Sequence, residues 1–347
     1  MKRIFVSMFR FTPLPPAVFF FTSPWGRRLR LHLLTCLLLL TGSHIPAQSP
    51  VSDSSSTAPV TDTGAGPVKS RVWLVTGINV VGYGSTLALL NNAWYKNEAR
   101  TSFHTFDDSR EWLQMDKWGH AWTTFNAARA STALWEWTGL SHRKSVWLGS
   151  ATSLLYMTGI EYLDAHSAKW GWSWSDMAAN ATGVGIYAAQ ALLWNEQRIQ
   201  LKFSFHSNRY SSQQLEERAD DLFGRSWYER MLKDYNAQTY WLSFNLHSFL
   251  PESKLPAWLN IAVGYGASGM FGGFENKWTD SQNQAIDRGD IHRLRQFYLS
   301  PDIDFTRIPT KSKFLKTTFS ILNAFKLPAP TFMIDSKGKA KGYLLYF

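Results

Sequence analysis

The stretch YAAQALLWNEQRIQLKFSFHS, residues 187–207, contains a change in the period of the sequence. Up to Trp194, small and apolar residues recur about every four positions, as they do on the faces of packed α-helices. From residue 199 onward apolar and polar residues alternate, as in a strand with one apolar face; the apolar ones are Ile199, Leu201, Phe203 and Phe205. We therefore predict an α+β fold in which a helical half precedes a β-rich half.

Upstream of this boundary, four segments have a helical pattern: Val72–Tyr95, Asp116–Trp137, Lys144–Asp164 and Ser175–Asn195. The first has no charge over a length that could cross a bilayer, although its Gly and Asn residues suit a lipid-facing span poorly. In the last segment, Ala181, Gly185 and Ala189 form a stripe that would let two helix backbones approach closely. The pattern predicts a bundle of about four helices over residues 71–197, either in water or inserted in a membrane.

Downstream, the alternation recurs in Tyr240–Ser248, Leu259–Ser268, Gln296–Phe305 and the segment KGYLLYF, residues 341–347. Strands of about ten residues with aromatic ends are typical of transmembrane β-proteins, but an ordinary sheet packed on the bundle requires the same alternation. Five or six strands are fewer than the roughly eight of the smallest closed barrel. We expect an antiparallel sheet over residues 198–347, open or a partial barrel, with a solvated helix at Gln213–Lys233.

The net charge is +10, from 36 Lys and Arg against 26 Asp and Glu. Residues 1–47 contain no acidic residue, and residues 306–347 contain eight Lys and Arg with Asp335 as the one acid. A nucleic-acid-binding domain concentrates its basic residues on one folded surface. Because most of the excess charge lies near the two ends, we do not predict a nucleic-acid partner.

The segment RRLR, residues 27–30, precedes an apolar run from Leu31 to Leu40, with Ile45 and Ala47 at the −3 and −1 positions of a cleavage site. This pattern predicts a signal peptide over residues 1–47. The single cysteine, Cys36, lies inside the apolar run and not after it, as lipid attachment requires. Residues 48–70 resemble a flexible linker. We expect export to the periplasm or outer membrane of a Gram-negative-type envelope, with the inner membrane as the alternative.

Ionisable side chains occur inside the apolar helices. The second helix begins with a D-K-x-x-H pattern, and two later helix faces carry acids at three- and four-residue spacing. Buried carboxylates are costly unless they are paired or bound to a ligand. We therefore predict that these faces converge on one polar network, made of Asp116, Lys117, His120, Glu161, Asp164, Asp176 and Asn180.

This network has three interpretations. As a structural network, Asp116 and either Ser175 or Asp176 would cap helices, and Lys117 would bridge to Glu161 or Asp164. As a catalytic site, the acid and base would be drawn from Asp116, His120 and Glu161. As a metal site, a divalent cation would take its ligands from Asp116, His120, Glu161, Asp164 and Asp176. No other cofactor is predicted, and no spacing matches a specific metal motif such as H-E-x-x-H.

The segments DKWGHAW (116–122), GIEYLDAH (159–166) and GWSWSDMAANATGVG (171–185) resemble the YfiM-like family of predicted periplasmic lipoproteins of unknown function. The resemblance covers residues 110–195, and more distantly it extends to VanZ-like membrane proteins. It implies a periplasmic location but no chemistry. Two features depart from the family: the chain has no suitably placed lipid-anchor cysteine, and the β-rich half lies outside the resemblance. The positions that match are Asp116, Lys117, His120, Glu161, Asp164, Trp174 and Asp176.

Three functions are consistent with these observations. The first is a non-enzymatic envelope protein with a structural or interaction role, whose partner is membrane lipid or another envelope protein. The second is an enzyme that acts on a lipid or glycoconjugate through Asp116, His120 and Glu161, and the third is a membrane-embedded transport or gating protein. The pairs His206–Ser207 and His247–Ser248 suit a hydrolase only across two strands, because adjacent residues point to opposite faces. The sequence sets no substrate and no oligomeric state.

Overall fold

The computed structural model describes residues 66–91, 99–280 and 282–347. The predicted signal peptide and residues 48–65 of the predicted linker lie outside these residues. Within them, long helices are followed by an antiparallel sheet, which confirms the α+β fold. The described residues contain eight α-helices where the sequence predicted a bundle of four and one solvated helix, because four shorter helices accompany the sheet.

The four long helices are α1 (Lys69–Leu90), α2 (Met115–Trp137), α3 (His142–Asp164) and α4 (Trp174–Trp194). Helix α2 packs between α3 and α4 around a core that includes Phe125, Val146 and Tyr187. Glycine permits this close packing. A Cβ atom on Gly183 of α4 would lie 2.2 Å from the carbonyl oxygen of Ala121 on α2.

The small-residue stripe of α4 does not make this contact. Ala181, Gly185 and Ala189 are exposed, and a Cβ atom on Gly185 would have no neighbour among the described residues within 4 Å. The prediction that this stripe brings two helices together is therefore wrong within the described chain. Gly183, two positions away and on the buried face, makes the close approach instead.

Helix α1 lies on the outside of the bundle. It buries Val75 against Leu134 and Trp135 of α2, while Trp73 and Val80 are exposed. Of the helices in the described residues, α1 alone is long and apolar enough to cross a membrane.

The main sheet has six strands in the order β1-β2-β3-β6-β7-β8, and every neighbouring pair is antiparallel. Strands β1 and β8 are its edges and do not pair with each other, so the sheet is open. A separate hairpin is formed by β4 and β5. The strands are β1 (Ile199–Phe205), β2 (Gln238–Asn245), β3 (Leu259–Ser268), β4 (Lys277–Thr279), β5 (Ala285–Asp287), β6 (Leu294–Ile303), β7 (Ala329–Asp335) and β8 (Ala340–Tyr346).

The four shorter helices are α5 (Gln213–Phe223), α6 (Trp227–Lys233), α7 (Leu246–Phe249) and α8 (Lys313–Leu322). The single helix predicted at Gln213–Lys233 is thus two, because Ser226 and Glu229 form a capping box that starts a new helix. Strand β2 ends at Asn245, so His247 and Ser248 lie in α7 and not in a strand.

The sheet is rolled, and its two faces differ in polarity. Across the roll, the hydroxyls of Thr239 on β2 and Tyr346 on β8 lie 3.0 Å apart, although these strands are not neighbours. The inner face buries polar side chains, among them the Lys202–Asp302 ion pair at 2.8 Å. The inner face also holds an apolar and aromatic cluster that includes Trp241, Ala262 and Met333. The outer face carries mostly apolar side chains, and its β1–β2 end packs on the bundle through Phe203 and Tyr240.

Candidate functional site

The polar residues of the bundle meet where the first turns of α2 and α4 lie beside the last turn of α3. Helix α2 supplies Asp116, Lys117 and His120, helix α3 supplies Glu161, and helix α4 supplies Asp176 and Asn180. We call these six residues the bundle cluster. Asp164, one turn beyond Glu161, is near enough for its charge to help raise the pKa of Glu161, after burial, which is the main cause.

The helix starts at the cluster differ from the expected caps. Asp116 lies in the first turn of α2, and the residue before the helix, Gln114, has a left-handed φ of 64° and caps nothing with its side chain. Helix α4 is capped by Ser173, whose hydroxyl accepts from the Asp176 backbone N–H at 3.0 Å. The predictions that Asp116 and Ser175 or Asp176 are N-caps are therefore wrong.

Lys117 binds three carboxylates. Its Nζ lies 2.6 Å from Asp176 Oδ1, 2.7 Å from Asp108 Oδ2 and 3.2 Å from Asp116 Oδ2. The predicted bridge from Lys117 to Glu161 or Asp164 is therefore replaced by a bridge to Asp108 and Asp176. Asp108 precedes α2 in an irregular segment, and it also accepts hydrogen bonds from Ser173 and Ser175 at 2.5 Å.

The imidazole of His120 lies between two sets of groups. Its Nδ1 is 3.1 Å from Asn180 Oδ1 and 3.6 Å from Glu161 Oε1. Its Nε2 is 3.8 Å from Asp176 Oδ1 and 3.9 Å from Asp116 Oδ1. The Asn180 oxygen lies within hydrogen-bond distance of Nδ1, whereas both aspartate oxygens lie beyond that distance from Nε2. We therefore assign the ring proton to Nδ1, and the lone pair of Nε2 then faces the two aspartates.

Burial and mutual repulsion shift the pKa values of the carboxyl groups. Burial, aided by the charge of Asp164, raises the pKa of Glu161 to about 8. Burial, the charge of Asp116 and a hydrogen bond to Asp108 raise the pKa of Asp176 well above its usual range. Burial alone would also raise the pKa of Asp108, but hydrogen bonds from Asp176, Lys117 and the two serines lower it to about 2.

Several residues at this site were not predicted. Tyr235, in the turn before β2, donates to Asp116 Oδ1 at 2.6 Å, so the β-rich half contributes to the site. Asp108 and Ser173 hold Lys117 and the start of α4. Asp108 was signalled only by its place in the acidic pair before α2. Nothing in the period of the sequence pointed to Tyr235.

Three of the five candidate metal ligands come together. Among the described residues, Asp116, His120 and Asp176 can each offer a ligand atom such that all three atoms lie within 4.8 Å of one another. Glu161 and Asp164 lie outside that group.

The hydrolase arrangement considered across two strands is wrong. Strands β1 and β2 are antiparallel, so His206 and His247 lie at opposite ends of the pair.

Comparison with known proteins gives one match. No curated protein and no solved structure matches the chain, and nothing supports the more distant resemblance to VanZ-like proteins. The matched segment, residues 105–194, contains the whole bundle cluster, which confirms the resemblance stated from the sequence. Over residues 105–194 the chain matches the family described as predicted periplasmic lipoprotein (DUF2279), and this description supports an exported, periplasmic location.

Proposed function

We propose that the protein is a non-enzymatic envelope protein that binds an anionic membrane surface through the outer face of its sheet. The observation that carries this proposal is the inverted polarity of the sheet. Its polar side chains are buried and a continuous set of its apolar side chains faces outward. A sheet that packs in water on one side shows the opposite arrangement.

The register of the strands defines this outer face. Leu201 on β1, Leu242 on β2, Val263 on β3, Leu299 on β6 and Phe332 on β7 lie opposite one another across the sheet and therefore share one face. The bundle covers this face at Leu201, which is buried, and leaves it uncovered from Val263 onward. The same face of the same sheet is thus core at one end and surface at the other.

The uncovered part of the outer face is large and continuous. Its side chains are 37–49% exposed, and they are Ile261, Val263, Phe297, Leu299, Phe332 and Ile334. Contiguous apolar surface of this kind marks a site of contact with a membrane or a partner. Lipid hydrocarbon suits a polar-in, apolar-out sheet, which is the arrangement of β-structure in membranes.

Positive charge next to apolar side chains favours a membrane over a protein as the partner. Helix α8 leaves Phe314 and Leu315 exposed, and Lys311, Lys313 and Lys316 lie in or beside it. Helices with exposed apolar residues among lysines bind at the interface of anionic membranes. Each lysine close to such a surface contributes about 1 kcal/mol of attraction.

The experiment is flotation of the mature chain with lipid vesicles. Vesicles of phosphatidylethanolamine and phosphatidylglycerol should carry the protein to the top of a density gradient, and neutral phosphatidylcholine vesicles should carry much less. The double variant Val263→Glu with Leu299→Glu puts two charges at paired positions of the outer face, and we expect it to stay in the dense fraction.

Leu232→Glu is the matched control, since Leu232 lies on α6 and is 51% exposed against 46% for Leu299. It should float as the wild type does. A wild type that stays in the dense fraction with both vesicle types, or a control that loses flotation as fully as the double variant, would overturn the proposal. Separation of inner and outer membranes from cells then identifies which membrane is bound.

Catalysis at the bundle cluster is the second candidate function. It is favoured by the position of His120 Nε2 between Asp116 and Asp176, an arrangement that suits a general base. If His120→Ala and Glu161→Gln fail to rescue an envelope phenotype of the null strain while their melting temperatures hold, the cluster acts chemically. If function and melting temperature fall together, its role is structural.

A further inference from the structure

We propose that Asp116, His120 and Asp176 form a binding site for one divalent transition-metal ion of the Zn²⁺ or Mn²⁺ type. This inference is independent of membrane binding. It adds to the protein a ligand that neither the family description nor the proposed function includes.

The spacing of the ligand atoms fits such an ion. His120 Nε2 lies 3.9 Å from Asp116 Oδ1 and 3.8 Å from Asp176 Oδ1. Around an ion with bonds of about 2.0–2.2 Å, neighbouring ligand atoms are roughly 3–4 Å apart. The three ligand atoms therefore lie close to the spacing of one ion, which would share Asp176 Oδ1 with Lys117 and Asp116 Oδ1 with Tyr235. One nitrogen and two carboxylate oxygens make a donor set that suits Zn²⁺ and Mn²⁺.

The groups behind His120 orient it as a metal ligand. Histidines that bind metals almost always donate their second ring N–H to a carboxylate or carbonyl oxygen, which fixes the tautomer. His120 Nδ1 has the Asn180 amide oxygen at 3.1 Å and the Glu161 carboxylate at 3.6 Å, both on buried side chains. The lone pair of Nε2 is thus directed at Asp116 and Asp176.

An unpartnered buried carboxylate is the independent sign of a ligand. The Glu161 side chain is 1% exposed, and its Oε1, which faces His120 Nδ1, has no hydrogen-bond partner within the part of the chain that the structure describes. A buried oxygen without a partner is costly. An ion on Nε2 would draw electron density from the ring, make Nδ1–H a stronger donor and so supply Glu161 with that partner.

The charges of the site also favour a bound cation. Lys117 Nζ pairs with three carboxyl groups, those of Asp108, Asp116 and Asp176, so one positive charge faces three acids. When all three are ionised, a divalent cation would compensate the two charges that Lys117 does not neutralise. The Asp116 and His120 side chains are 22% and 13% exposed, so an ion can reach the site from solvent.

The test is metal titration of the mature chain, purified without a polyhistidine tag and stripped with a chelator that is then removed. We expect Zn²⁺ to bind at one ion per chain in calorimetry and to raise the melting temperature. His120→Gln and Asp176→Asn should each weaken binding at least tenfold. His142→Gln is the matched control, because His142 also sits on a bundle helix beside a carboxylate, 2.6 Å from Glu136 Oε1, and it should bind as the wild type does.

Glu161→Gln keeps the shape of the side chain and tests its role as a positioning residue. We expect this variant to melt as the metal-free wild type does and to bind Zn²⁺ ten- to a hundredfold more weakly. It also keeps the proposal testable if the variants His120→Gln and Asp176→Asn unfold. A wild type whose melting temperature does not respond to Zn²⁺ or Mn²⁺ would overturn the proposal, as would equal loss of binding in the His142 control.

Discussion

One buried polar group in the bundle and another inside the rolled sheet differ in how well their charges are matched. In the sheet, Lys202 and Asp302 form one ion pair at 2.8 Å, with side chains 0% and 2% exposed. Lys202 also donates to the Ile303 carbonyl at 2.6 Å, and Asp302 accepts from Ser243 at 2.6 Å. In the bundle, three carboxylates surround one lysine, and Glu161 keeps an oxygen that has no hydrogen-bond partner among the described residues.

This difference distinguishes a structural contact from a candidate functional site. A buried network whose charges and hydrogen bonds are all matched holds its parts in one arrangement and has no capacity for a ligand. A network with excess charge, shifted pKa values and partial access to solvent is the kind found at functional sites. The Lys202–Asp302 ion pair therefore has the features of an architectural contact, and the bundle cluster has those expected of a site that exchanges a ligand or a proton.

The largest effect is expected from Lys202→Met. It leaves Asp302 buried without its cation, so we expect the free energy of unfolding to fall by about 3–5 kcal/mol. Urea denaturation followed by tryptophan fluorescence measures this loss. The double variant Lys202→Met with Asp302→Leu removes both charges and should recover most of it. A single variant within about 1 kcal/mol of the wild type would show that the sheet network is not needed to hold the sheet together.

A smaller effect, confined to the bundle, is expected from Gly183→Ala. The added Cβ would lie 2.2 Å from the Ala121 carbonyl oxygen and would push α4 away from α2, one turn beyond Asn180. We expect a loss of about 1–3 kcal/mol in the free energy of unfolding. Gly185→Ala is the matched control in the same helix, and it should lose nothing, with a gain of up to about 1 kcal/mol from helix propensity. Equal destabilisation by both changes would contradict the close approach at Gly183.

The smallest effects are expected from two histidines whose pKa values shift in opposite directions. Hydrogen bonding to Glu136 raises the pKa of His142 in the bundle, and burial lowers the pKa of His206 at the end of β1. His142 therefore stabilises the fold below pH 6.5, and this contribution is lost as the pH rises through its folded pKa. For His206, stability is complete above pH 6.5 and falls as the pH drops toward its folded pKa.

Melting temperatures between pH 5 and 8 test this contrast. His142→Gln should be most destabilising at pH 5 and nearly neutral at pH 8. His206→Gln should lose less stability than the wild type does between pH 6.5 and 5. If both variants change the pH profile in the same sense, the prediction that the two pKa values shift in opposite directions is wrong.

Periodicity was sufficient to predict most elements. The bounds of α2 and α3 differ from the predicted ones by one and two residues, and β3 has the predicted bounds. Strand β7 was missed because its segment APTFMID contains Pro330 and places apolar Met333 on the polar inner face. The alternation of apolar and polar residues shows that a strand has two different faces, but it does not show which face is buried. The position of the bundle determines which face is buried.

The site was partly predictable for the same reason. A spacing of four residues places Asp116 with His120, and Asp176 with Asn180, on single helix faces, and the structure brings these faces together. The partners of Lys117 could not be derived, because Asp108 lies in an irregular segment with no period. Tyr235 reaches Asp116 from the other half of the chain, so only the tertiary fold shows it.

The contact between α2 and the segment after α8 has a consequence for biogenesis. Trp122 Nε1 donates to the Ala324 carbonyl, 202 positions along the chain, and Ala324 and Lys326 hydrogen-bond to the backbone of Phe203 at the edge of β1. Contacts between such distant positions form slowly. Until residue 326 emerges from the translocation channel, the edge of β1 stays unpaired and prone to aggregation. We therefore expect the edge of β1 to need shielding, of the kind that a chaperone provides, during this interval.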